Sequence, residues 1–131
     1  MKTTGRLAIV GTAAGALVGA ALAVAPGAAA GSYNGCTYPR VCFYLTATQW
    51  NNGTPSTGYQ DVTSGYQNLG SLSRGADYVR NTRNDDRAYL RYIRHSTGGT
   101  EYLCVLPNQT AIFSSAYTVT GIRIDTAATC P

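Results

Sequence analysis

Four cysteines constrain this chain more than any other feature. Cys36, Cys42, Cys104 and Cys130 are the only cysteines among 131 residues, and their intervals are 5, 61 and 25 residues. Paired zinc knuckles need two short Cys–Cys spacings, and this chain has one. An even count in an exported chain reads as two disulfides. Three pairings can be drawn. Near neighbours meet most easily in a hairpin-rich fold, which favours Cys36–Cys42 with Cys104–Cys130.

Export is read from the first thirty residues. "MKTTGRLAIVGTAAGALVGAALAVAPGAAA" has Lys2 and Arg6 at its start, an uncharged run from Leu7 to Val24, and Ala28-Ala29-Ala30 at its end. A basic start, an apolar middle and an A-x-A end mark a secretory signal peptide. The run is rich in Ala and Gly, so it partitions weakly into hydrocarbon and makes a poor membrane anchor. Cleavage after Ala30 leaves residues 31–131 as one domain with a modest core, expected to be secreted and monomeric, with no membrane attachment. All eight basic residues of that domain are Arg, against six acids, for a net charge of +2. That balance argues against a polyanion binder recruited by charge alone, and no nucleic-acid partner is expected.

The domain contains ten Tyr and many Thr and Gly, which favours strands and turns. Strand candidates are 40–46, 58–62, 77–81, 87–94, 100–106, 110–114 and 119–125. The stretch 50–58 reads as a loop and "HSTGG" as a hairpin turn. About seven short strands predict an all-β domain, a small Greek-key sandwich or a βγ-crystallin-like unit.

The stretch "SRGADYVRNTRNDDRAYLRYIRH", Ser73 to His95, holds six of the ten basic residues of the chain. On a helix, Arg80, Arg83, Arg87, Arg91 and Arg94 would line one face, as an RNA or membrane binder requires. The intervening Tyr, Val and Ile prefer strands, and "NTRNDD" is turn chemistry. As a strand, Ala88, Leu90 and Tyr92 share a core face, and Arg87, Tyr89, Arg91 and Ile93 share the other. The arginines then form a solvated face with guanidiniums lying over Tyr rings.

The catalytic inventory is short. His95 and Glu101, the only His and Glu, flank the "STGG" turn, and with Arg91 and Arg94 they supply the residue types of a small secreted ribonuclease. That is the enzymatic alternative to a non-enzymatic role; a cell-envelope or toxin-like binding module is a third. No G-x-S-x-G surrounds any serine, and no phosphate-cradling glycine loop is present. Asp85 and Asp86 are sequence neighbours and point apart on a strand, which disfavours a glycosidase dyad. "NNGTPS", Asn51–Ser56, approaches a calcium-loop pattern but has Pro55 where Ser or Thr is required, and it lacks carboxylates. No metal and no cofactor is expected.

The run from Gly35 to Cys130 resembles the small secreted bacterial peptidase inhibitors of the metalloproteinase-inhibitor type, which have a βγ-crystallin-like fold. "GCTYPRVCFYL" is similar to the family's opening of two close Cys and an aromatic strand. "VRNTRNDDRAYLRY" is similar to its central strand–turn–strand, and "LCVLPN" and "VTGIRI" follow in order. The resemblance implies an extracellular protease as partner and an inhibitory loop at Cys104, Val105, Leu106 and Pro107, since the family's type member has a reactive Cys–Val bond in a disulfide-tethered loop. Asn108 stands where that loop has a second nearby Cys. Val105 or Leu106 would fill the apolar pocket of a thermolysin-like protease, and tethering limits the entropy lost on docking.

Overall fold

A computed structural model describes residues 31–131; the expected leader, residues 1–30, lies outside the described residues. The described chain is all-β apart from one short helix. Its elements are β1 (Val41–Tyr44), α1 (Ala47–Asn52), β2 (Thr57–Tyr59), β3 (Gln67–Asn68), β4 (Tyr78–Asn81), β5 (Arg87–Arg94), β6 (Gly99–Val105), β7 (Thr110–Ile112) and β8 (Tyr117–Asp125). Strand reading prevails over helix across the arginine-rich segment, because Ala88 and Leu90 are needed on one buried face.

Two four-stranded antiparallel sheets form, in the orders β2-β1-β4-β7 and β3-β8-β5-β6. β4 returns to lie beside β1, whereas β3 leaves to pair with β8 in the second sheet. The second half of the chain repeats the arrangement: β8 returns beside β5, and β7 crosses to pair with β4. Each half therefore contributes one strand to the other's sheet, which couples the halves through backbone hydrogen bonds.

The main core lies between the sheets. Val41, Phe43 and Val79 project from the first sheet onto Ala88, Leu90, Ile122 and Ile124 of the second, and all are fully buried. Alternation along β1 sends Cys42 and Tyr44 the other way, yet they are buried too. They sit in a second cluster on the outer face of the first sheet, with Cys36, Trp50 and Tyr78. Trp50 stacks on Tyr78 with centroids 4.9 Å apart and meets Tyr44 edge-on at 4.9 Å, so Tyr44 and Trp50, six residues apart in sequence, form one aromatic corner. Each such pair contributes about 0.5–1.5 kcal/mol beyond area burial. The Tyr44 hydroxyl donates to the Asn34 carbonyl at 2.7 Å, and burial pushes its pKa up to about 12.

α1 corrects the loop reading of 50–58, whose first three residues close this helix. Thr46 caps it by accepting from the Gln49 N–H, the Gln49 side chain accepts from the Leu45 N–H, and Gly53 ends it with φ +65°. Thr-x-x-Gln is a capping-box pattern, and a left-handed Gly is the usual stop. Asn51–Ser56 thus spans the end of α1 and the following loop, where the Ser56 hydroxyl donates to the Phe43 and Leu72 carbonyls. Gly35 also has no substitute, since a Cβ there would fall 1.8 Å from the Gly53 carbonyl oxygen.

Cys36 is bonded to Cys42 and Cys104 to Cys130, the favoured pairing. The second bridge joins β6 to the C-terminal tail and closes the longer loop, with a sequence separation of 26 against 6. In the chain-entropy picture, opening it by a double Cys→Ala substitution should cost about 3.5 kcal/mol, against about 2 kcal/mol for the short loop. Urea unfolding of the two double variants measures the difference.

Candidate functional site

The segment that leaves β6 crosses from the edge of the second sheet to β7, the edge of the first. It carries the candidate loop. Pro107 and Asn108 sit at its turn, Asn108 has φ +60°, and the Gln109 N–H donates to the Leu106 carbonyl at 3.2 Å. Pro followed by a left-handed Asn is the composition a type II turn demands. Cys104, the first residue of the loop, is fixed to Cys130.

Asn81 anchors the segment from within. Its side chain is fully buried, and its amide donates to the carbonyls of Asp86 (3.0 Å), Val105 (3.2 Å) and Leu106 (3.3 Å). Its Oδ1 accepts from the Arg83 N–H at 3.0 Å, and its own N–H donates to the Gln109 carbonyl at 3.0 Å. One side chain therefore holds the β4–β5 turn and the ascending limb of the loop, while its backbone holds the descending limb. The sequence placed Asn81 in a strand–turn–strand but gave no sign of this role, because its partners are carbonyls up to 25 residues away.

The loop divides the two apolar residues proposed for a protease pocket. Val105 is 5 % exposed and packs in the main core opposite Ala88. Leu106 is 42 % exposed. Position in the strand is the reason: Val105 lies opposite Ala88 and is buried at the end of β6, Leu103 two residues earlier is already 38 % exposed at the sheet edge, and Leu106 falls beyond the strand end. Beside Leu106 opens a cleft of about 230 Å³ lined by Leu103, Val105, Leu106, Gln109, Thr110 and Ala111.

The other candidate pair is not brought together. Both oxygens of Glu101 accept from Arg94, at 2.7 and 2.9 Å, and one also accepts from the Tyr92 hydroxyl at 3.0 Å. His95 Nε2 instead lies 2.6 Å from the Thr118 hydroxyl, and no hydrogen bond joins His95 to Glu101. The bonds from Arg94 and Tyr92 hold the Glu101 carboxyl below its ordinary value, which makes it a weak base. Arg91 donates to Thr120 and Asn68, away from both. Among the described residues no group of three or more His, Cys, Asp or Glu is placed to hold a metal.

No family model, curated protein or solved structure matches the chain.

Asn81→Ala leaves three carbonyls short of a donor and should lower the unfolding free energy by about 2–3 kcal/mol. Asn81→Asp should cost more, since a carboxylate cannot donate to them and is buried besides. Urea titration ranks the two. A second expectation concerns acid. Arg94 depresses the pKa of Glu101, and Arg87 depresses that of Asp125. A group with a depressed folded pKa contributes fully above its unfolded value and loses that contribution as pH falls through the folded one. Stability should therefore decline as pH drops below about 4, and Glu101→Gln should flatten that decline. Unfolding curves between neutral and strongly acidic pH test it.

Proposed function

We propose that this chain is a secreted, non-enzymatic inhibitor of a metallopeptidase, built on a Greek-key, βγ-crystallin-like domain, and that it acts through the loop Cys104–Pro107. One observation carries the reading. An exposed apolar side chain, Leu106, stands on a turn held by a disulfide at Cys104 and by Asn81 from beneath. A loop so held loses little conformational freedom on docking, the property that lets a short segment bind tightly in a protease cleft. The strand exchange between two four-stranded sheets and the two disulfides fit the resemblance in fold. An export leader and a disulfide-stapled domain suit an extracellular site of action. In this reading Leu106, not Val105, enters the apolar pocket of the target, and the molecule works as a monomer without cofactor.

The test is an inhibition assay of the mature domain against metallo-, serine and cysteine proteases, with RNA cleavage measured alongside. Inhibition of a metalloprotease is expected. Leu106→Gly should raise the inhibition constant roughly tenfold or more, since burying a Leu-sized group is worth about 1.5–3 kcal/mol. Val105→Gly should lower stability instead, and His95→Ala should leave inhibition unchanged. RNA cleavage lost on His95→Ala would replace this reading with the ribonuclease one. Inhibition of no protease would reject it.

A further inference from the structure

The outer face of the second sheet carries a ladder that the proposed inhibitory loop does not use. Along it, the Arg87 guanidinium lies 4.9 Å from the Tyr89 ring centre, and Arg123 lies 4.5 Å from Tyr89 and 5.6 Å from Tyr66. Arg91 lies 5.6 Å from Tyr66. The order is Arg87, Tyr89, Arg123, Tyr66, Arg91. Strand pairing sets the spacing. Arg123 on β8 is level with Tyr89 on β5, between Arg87 and Arg91. One arginine therefore recurs at every second residue level, a backbone step of roughly 6.8 Å, alternating between β5 and β8.

Charge on this strip is unbalanced. Asp125 is its single carboxylate, accepting from Arg87 at 2.8 Å and from Arg123 at 3.0 Å. Among the described residues Arg91 bonds to neutral acceptors, the Asn68 side chain at 2.6 Å and Thr120 at 3.0 Å. Its path across the sheet depends on Gly121, where a Cβ would fall 2.7 Å from the Arg91 Cζ.

We propose that this face is a docking surface for an extended acidic peptide whose carboxylates fall on alternate residues. Side chains on one face of an extended chain repeat at the same roughly 6.8 Å step, so successive carboxylates match the successive levels at which the arginines stand. Guanidiniums pre-oriented by rings and by Thr120 lose little freedom on binding a carboxylate. Asp125 shows the mode, since it already engages two guanidiniums of the ladder. A single-stranded nucleic acid fits less well. Bases need open aromatic faces, and Tyr66 and Tyr89 are each approached by two guanidiniums.

The experiment is fluorescence anisotropy with the mature protein and a labelled peptide of alternating Glu and Ser, at low and at physiological ionic strength. Its comparators are an isomer with the same residues in two blocks and a thymidine oligonucleotide of equal charge. The alternating peptide should bind more tightly than either, and salt should weaken it. Arg91→Gln and Arg123→Gln should each reduce affinity roughly three- to tenfold. Gly121→Ala, which displaces the Arg91 guanidinium but changes no charge, should also reduce it. Arg74→Gln, an exposed cation off the ladder, should not. Equal binding of the two peptides, or preference for the oligonucleotide, overturns the proposal on the wild-type protein alone, whatever the variants do. Folded Arg91→Gln and Arg123→Gln variants that bind like wild type overturn it as well.

Discussion

The buried amide of Asn81 is the contact on which the arrangement around the loop depends. A side chain with two N–H groups serves three carbonyls, and its oxygen accepts from the turn that follows. Those carbonyls lie at the start of β5 and the end of β6, so Asn81, at the end of β4, ties the first sheet to the second; without a donor each would be a polar group removed from water. An apolar residue at this point would leave the ascending limb of the loop without its side-chain support, with only the backbone bond to Gln109 remaining. Beside it, Thr82 donates to the Arg40 carbonyl at 2.6 Å, and Arg83 pairs with Asp86 and donates to the Pro39 carbonyl at 3.0 Å. The turn "NTRNDD" is thus a polar hub inside a β domain, and the loop inherits its rigidity from the hub.

A second dependence runs through strand exchange. Because β3 belongs to the second sheet and β7 to the first, neither half of the chain can separate without breaking ladders in both sheets. Exchange also places the ends of β6 and β7 next to each other, which is why one short segment, Leu106–Gln109, bridges the two sheet edges and opens the cleft beside it. The loop's position is therefore a result of topology, and its shape a result of Pro107, Asn108 and Asn81.

Much of this was legible in residue order, and the rest was hidden for physical reasons. Alternation of Ala88, Leu90 and Tyr92 against Arg87, Tyr89 and Arg91 specified a strand and the guanidinium–tyrosine contacts. Cysteine proximity favoured the observed pairing among three that could be drawn. α1 escaped because its six residues are too few for a periodic pattern, and only Thr46-x-x-Gln49 betrayed it. The bulge at Arg91 and Tyr92 escaped because it depends on Thr120, an extra residue contributed by the partner strand. The burial of Val105 is not legible in residue order, because a hydrophobic residue at a strand end can belong to either the core or the surface, and register alone decides. His95 and Glu101 look like a pair in sequence, but the hairpin gives each a different neighbour.

β1 has a strand on each side and apolar clusters on both of its faces. Its amide hydrogens are shielded in every direction, so they exchange with solvent only when the whole domain opens. Among the described residues β6 has a strand on one side only, and its amides are released by smaller local openings. The molecule thus has a graded interior clock, slow at the first strand and faster at the edge that bears the loop. The disulfide at Cys104 lies on the fast strand, where a covalent tie limits the excursions that local opening would otherwise permit.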